Sequence, residues 1–204
     1  METANTTKPL LLVTIGPPGT GKSFFARRFS EMFNAPLVSF DEIRFELFND
    51  VTFSEDESVI VGRVAGLQLR ELLKTRKTII LDGGHNPKVS RFELAKVAKA
   101  AGYSILYIWT QIDEDTARRR SLHRNASNED DQFNRSLTGE EFENHARKFT
   151  APSSFEHYVV ISGRHNFPSQ ARSVLKKMLG PREEVKVPVE EPKPKGRDTR
   201  PISI

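Results

Sequence analysis

The chain has 204 residues, a net charge of +4, five histidines and no cysteine. That length suits one compact domain with a tail, and the absence of cysteine excludes disulfides, thiolate metal sites and cysteine nucleophiles. No apolar run reaches the ~20 residues that cross a bilayer, and the run at 10–15 is too short for a signal-peptide core, so a cytoplasmic location is expected.

Residues 1–8 are polar and read as a flexible N-terminus. An apolar strand is predicted at 10–15, followed by a helix at 22–33 whose Phe25, Phe29 and Phe33 share a face. A second strand at 37–40 leads into helices at 41–48 and 56–74. The third strand, 78–81, precedes a helix at 88–101, with Pro87 at its start and Gly102 at its stop. Then come a strand at 104–109, helices at 114–124 and 139–149, a strand at 158–161 and a helix at 168–179. From Pro181 the composition changes to five prolines among alternating charges, which predicts a disordered tail over 181–204. A solvated end explains the tail, and docking of a protein partner is its second reading.

Strands separated by helices imply parallel pairing through right-handed crossovers. The expectation is a three-layer α/β/α sandwich on a parallel five-stranded sheet over 9–180, with ligands at the carboxyl ends of the strands. Gly16, Pro17, Pro18, Gly19, Thr20, Gly21, Lys22 and Ser23 follow the pattern G-x-x-x-x-G-K-[ST] between the first strand and first helix. Its glycines let successive N–H groups turn inward around phosphates, and the helix start adds its positive dipole end. Lys22 should reach the β- and γ-phosphates and Ser23 should ligate Mg²⁺.

AAA-type ATPases with a similar loop need paired acids at the end of the third strand and a separate helical lid domain. Here that strand runs into Asp82-Gly83-Gly84-His85, with one acid, and the remaining length is too short. A GTPase would show an Asn-Lys-x-Asp motif, which is absent. A small kinase remains.

The sequence resembles the polynucleotide-kinase-like and zeta-toxin-like group of P-loop kinases across 9–180. The resemblance rests on the phosphate loop, Ser39-Phe40-Asp41-Glu42-Ile43-Arg44, Leu81-Asp82-Gly83-Gly84-His85-Asn86-Pro87 and Arg120-Ser121-Leu122-His123-Arg124, in that order. It implies that Asp41 accepts the proton of an attacking hydroxyl and that Arg44 contacts the acceptor or transferring group. Asp41 would otherwise be a helix N-cap. Asp82 is the second expected Mg²⁺ ligand, while His85 and Asn86 are open between acceptor binding and turn chemistry before Pro87. Glu42 is expected on the surface. Arg120 and Arg124, one turn apart, should share a face of a lid spanning about 120–140, with Arg120 also on the nucleotide. The lid segment 125–136 is longer than the short loop usual in that group, which leaves the role of Arg135 open.

The implied activity is Mg-ATP-dependent transfer of the γ-phosphate to a hydroxyl. A 5′-hydroxyl polynucleotide or nucleotide is the first choice of acceptor, and a small metabolite or nucleotide-sugar is the alternative. A non-catalytic ATP-binding regulatory module is the contrasting reading, with base readout near 162–166 in either case.

Overall fold

The computed structural model describes residues 8–124 and 132–180. The expected tail, residues 1–7 and part of the long lid segment lie outside the described residues. Five strands, β1 (Leu10–Ile15), β2 (Leu37–Ser39), β3 (Ile79–Asp82), β4 (Ser104–Gln111) and β5 (Tyr158–Ser162), form one sheet. Its order is β2-β3-β1-β4-β5 and every pairing is parallel. The helices are α1 (Lys22–Phe33), α2 (Phe40–Leu47), α3 (Glu55–Leu73), α4 (Lys88–Ala100), α5 (Glu114–Leu122), α6 (Gly139–Arg147) and α7 (Phe167–Leu179).

All six residues of β1 are buried, which is why the central strand reads as a nearly unbroken apolar run. Its alternate residues feed two cores. Leu11, Val13 and Ile15 pack with Val61, Ala65 and Leu69 of α3 and with Leu94 and Ala98 of α4. Leu10 and Leu12 face Phe25 and Phe29 of α1 and Ala171 and Val174 of α7. Phe25 and Phe29 are essentially inaccessible, and burial of each contributes about 1.5–3 kcal/mol. Phe33, expected on the same face, stacks 4.4 Å from Phe29 but is 41% exposed at the rim.

Two boundaries differ from the sequence expectation in ways that shape the site. Helix α2 starts at Phe40, because the Ser39 hydroxyl caps it by accepting from the Glu42 N–H at 3.4 Å. Asp41 is therefore not the N-cap. Helix α5 stops at Leu122, where the Leu137 N–H of the returning segment donates to the Ser121 carbonyl at 2.9 Å. Arg124 thus leaves the helix that carries Arg120. Among the described residues no helix is long and apolar enough to cross a membrane.

Candidate active site

The glycine loop leaves β1 at the centre of the sheet and turns into α1. Gly16, Gly19 and Gly21 all have positive φ, at 142°, 74° and 97°. The first two also touch neighbours too closely for a side chain. A Cβ on Gly16 would stand 2.6 Å from the Thr110 carbonyl oxygen of β4, and one on Gly19 would stand 2.1 Å from that of Ala117 in α5. Pro17's carbonyl accepts from the Thr20 hydroxyl at 2.9 Å and from Lys22 Nζ at 2.8 Å, so the ammonium bends back over the loop. Gly21 offers α1 no side-chain cap, and the helix starts with its orphan N–H groups toward the loop.

Opposite the loop stands a pair of carboxylates. Asp82 ends β3 at 3% exposure and accepts a short hydrogen bond from the Thr14 hydroxyl of β1, its register partner. Asp41 opens the neighbouring α2. The separation of α2 from the loop after β3 is set by the Phe40 ring, which lies over Gly83 and Gly84 and leaves no space for a Cβ on Gly84. Burial, then the charge of Asp82, raises the Asp41 pKa above the ordinary carboxylate value, while Arg124, Lys22 and Arg44 oppose that rise. Burial also lowers the Lys22 pKa; Asp82 and Asp41 counter it, and Arg124 adds to it. The charges of Asp82, Asp41 and Arg124 thus all act on Lys22, and those of Asp82, Arg124 and Lys22 all act on Asp41, near the carboxyl ends of β1 and β3.

The arginines divide differently from the sequence reading. Arg120 donates to the Gly163 carbonyl at 3.1 Å, on the loop between β5 and α7, while Arg124 acts on Lys22 and Asp41. The two do not share a helix face. The Arg124 backbone N–H donates to the Ser136 hydroxyl at 3.1 Å, tying the chain after α5 to the segment that leads into α6. Arg44, which the resemblance assigns to the acceptor or the transferring group, is 7% exposed and reaches α3, and its charge also acts on Asp41. It pairs with Glu57 at 3.2 Å and lies 4.8 Å over the Phe53 ring. Glu57 also accepts from the Thr52 hydroxyl and from the Thr52 and Phe53 N–H groups, and its pKa falls to about 2, with the Thr52 hydroxyl the largest cause. Arg135, left open above, lies 4.7 Å over Phe53 and donates to Glu141 at 3.0 Å. Glu42 is not simply a surface residue: it is half-buried and pairs with Arg27 at 3.1 Å.

Three contributors escaped the sequence reading or were left undecided by it. Thr14 carried a signal, a hydroxyl in the middle of an apolar strand. Asn86 contacts Gly16 directly through its side chain. Burial, then the charge of Lys148, lowers the pKa of His145 on α6, and Lys22 adds a smaller effect in the same direction. His85 is half-buried, its Nδ1 2.9 Å from the Gly83 carbonyl and its ring edge-on to Phe40. No group of three metal-ligating side chains exists among the described residues. Ser23 and Asp82 nonetheless supply the hard oxygen donors that suit Mg²⁺, which takes few protein ligands and completes its shell with phosphates and water.

A glycine loop between a buried central strand and a helix, on a five-stranded parallel sheet, defines a P-loop NTPase of the kinase-like α/β type. Within that class, the chain belongs to the AAA domain family AAA_33, whose model matches residues 11–152. No curated protein matches the chain in sequence. Among solved structures, a kinase candidate from Chloroflexus aurantiacus j-10-fl superposes with a TM-score of 0.67 at 14% identity, covering 84% of this chain and 99% of that one. A gluconokinase from Sinorhizobium meliloti 1021 gives 0.59 at 15% identity, covering 84% and 92%. A chain of the Pnkp1/Rnl/Hen1 RNA repair complex gives 0.58 at 23% identity, covering 72% of this chain and 46% of that one. At these identities the likeness is one of fold.

Proposed function

We propose that the protein is a Mg-ATP-dependent phosphotransferase that moves the γ-phosphate of ATP to a hydroxyl acceptor. The observation that carries this reading is the buried Asp82 at the end of β3, held by Thr14, whose charge acts on both Lys22 and Asp41. A module that only binds nucleotide needs Lys22 but has no use for a second carboxylate with a raised pKa opposite it.

In this reading Lys22 and the loop N–H groups hold the β- and γ-phosphates. Ser23 and Asp82 hold Mg²⁺, which shields the phosphate charge. Asp41 takes the proton of the acceptor hydroxyl as its oxygen attacks the γ-phosphorus and the bond to the β–γ bridging oxygen breaks. Arg124 faces the charge that spreads over the transferring group, and Arg120, held at Gly163, lines the nucleotide side. The raised pKa of Asp41 brings this base nearer to neutral pH, where proton acceptance is most effective.

A 5′-hydroxyl polynucleotide or nucleotide is the first choice of acceptor. It is supported by the order of motifs and by the fold shared with the RNA repair complex chain. A small-metabolite kinase is the second reading, because this fold accounts for 92% of the gluconokinase chain but only 46% of the repair complex chain. Turnover of labelled ATP against a panel of acceptors across a salt series separates them. A polynucleotide should stimulate turnover with a KM that climbs with salt through counterion release. Stimulation by a neutral sugar and by no oligonucleotide would remove nucleic acid. Fast hydrolysis that no acceptor stimulates would remove the kinase.

A further inference from the structure

We propose that Asn86 is the positioning residue of the phosphate loop, its carboxamide acting as an extra sheet rung that fixes Gly16. The inference rests on the nucleotide-binding reading of that loop. The ladder between β1 and β3 ends at the pair Thr14 and Asp82, because the chain after Asp82 turns away through Gly83 and Gly84. Two residues further along the chain, just past the end of β1, the Gly16 N–H donates to Asn86 Oδ1 at 3.0 Å, and Asn86 Nδ2 donates to the Gly16 carbonyl at 3.0 Å. A primary amide offers the same donor and acceptor as a peptide group, so the side chain continues the ladder where the backbone has left it. On its other side Gly16 abuts the Thr110 carbonyl, so the start of the loop is gripped between β4 and Asn86.

The side chain of Asn86 is not serving its own helix. The N-cap of α4 is Pro87, and no side chain caps that helix. Asn86 is itself held from behind. Its carbonyl accepts from Arg91 Nη1 at 2.6 Å and from the Thr150 N–H at 3.2 Å. Arg91 is 1% exposed and grips Glu156 with two donors, Nε at 2.6 Å and Nη2 at 3.2 Å. Glu156 in turn accepts from the Ser153 N–H and hydroxyl. A two-point ion pair with a buried guanidinium, whose carboxylate accepts further hydrogen bonds, is a rigid support. The line from Ser153 through Glu156, Arg91 and Asn86 thus ends on the first glycine of the loop, 70 residues before Asn86 in sequence. Asn86 acts through Gly16, by keeping the loop N–H groups turned inward.

The test is Mg-ATP titration by calorimetry of the full chain, wild type against Asn86→Ala and Asn86→Asp, from pH 8 down to about pH 4, near the ordinary aspartate value. Asn86→Ala should weaken Mg-ATP about 10–100-fold at every pH, the range for losing two hydrogen bonds to a fixed group. Asn86→Asp should lose as much at neutral pH, since a carboxylate accepts from the Gly16 N–H but repels the Gly16 carbonyl. It should regain affinity as the pH falls, because a protonated carboxyl again offers one donor and one acceptor. His85 beside it, Arg91 on α4 and Glu156 before β5 are the charged or titratable neighbours, and the wild type at each pH cancels their contribution. If Asn86→Ala fails to fold, the Asn86→Asp series decides alone. Wild-type affinity in Asn86→Asp at neutral pH, or a loss that acid does not reverse, overturns the proposal. A wild type that binds no Mg-ATP would instead overturn the phosphate-loop reading beneath it.

Discussion

At the phosphate loop, backbone does most of the work: three glycines with positive φ, a carbonyl that anchors Lys22, and contacts so close that no Cβ fits at Gly16 or Gly19. Away from that loop, where α2, α3 and the segment leading into α6 meet, long side chains build a second wall. Arg44 and Arg135 both lie over Phe53, while Phe133 sits between Arg27 and Phe45. Backbone contacts of the first kind leave one geometry available. Stacked side chains of the second kind can be exchanged for others while the strand-and-loop frame stays the same.

Replacing Asp41 tests whether the two walls meet in one reaction and should give the largest effect. Asp41→Asn should cut phosphoryl transfer ~10²–10⁴-fold, the usual contribution of a general base, with Mg-ATP affinity within a few-fold. The same variant should melt at a higher temperature at neutral pH. A carboxyl whose pKa is raised by folding stabilises the fold only when protonated, and that contribution is lost as pH rises through the folded value. The thermal gain should therefore disappear once the pH falls below 3.8, the ordinary value at which the unfolded carboxyl titrates. Equal loss of binding and turnover would leave Asp41 with no role specific to transfer.

Lys22→Ala comes next, on the backbone-built wall. Removing a charge-assisted contact should weaken Mg-ATP by ~1.5–3 kcal/mol, about 10–150-fold, with the fold intact. Calorimetry showing unchanged affinity would break the assignment of this side to phosphate. The smallest effect belongs to the stacked wall. Phe53→Ala removes the ring under two guanidiniums, each contact contributing about 0.5–1 kcal/mol at a partly exposed site. It should raise the KM of the acceptor a few-fold and leave Mg-ATP affinity alone. A change in nucleotide affinity instead would show that the walls are not independent.

The layout of strands and helices was legible because each element carries its own period, and the phosphate loop because its glycines are contiguous. What failed to show were contacts between residues far apart in the chain. Arg44 follows Asp41 by three positions, yet its guanidinium answers to Glu57 on the next helix. Arg124 keeps a helical spacing from Arg120 on paper, but α5 is ended by Leu137 and Ser136 returning from beyond the lid. Asn86 next to a proline looks like turn chemistry until its amide is found on a strand 70 residues earlier. Local pattern predicts local structure, and the orientation of a long polar side chain is decided by partners it does not name.

The contact between Gly19 and α5 has a mechanical consequence. With the Ala117 carbonyl resting on a residue that has no side chain, α5 bears directly on the phosphate loop. Beyond that bearing α5 runs to Leu122, about 7.5 Å at the rise of a helix, before the chain leaves it toward Arg124. A tilt of about 10° at the bearing would shift that end of α5 by about 1 Å. A larger residue at position 19 would wedge α5 off the loop, so the seat of this helix and the shape of the phosphate loop depend on the same missing methyl group.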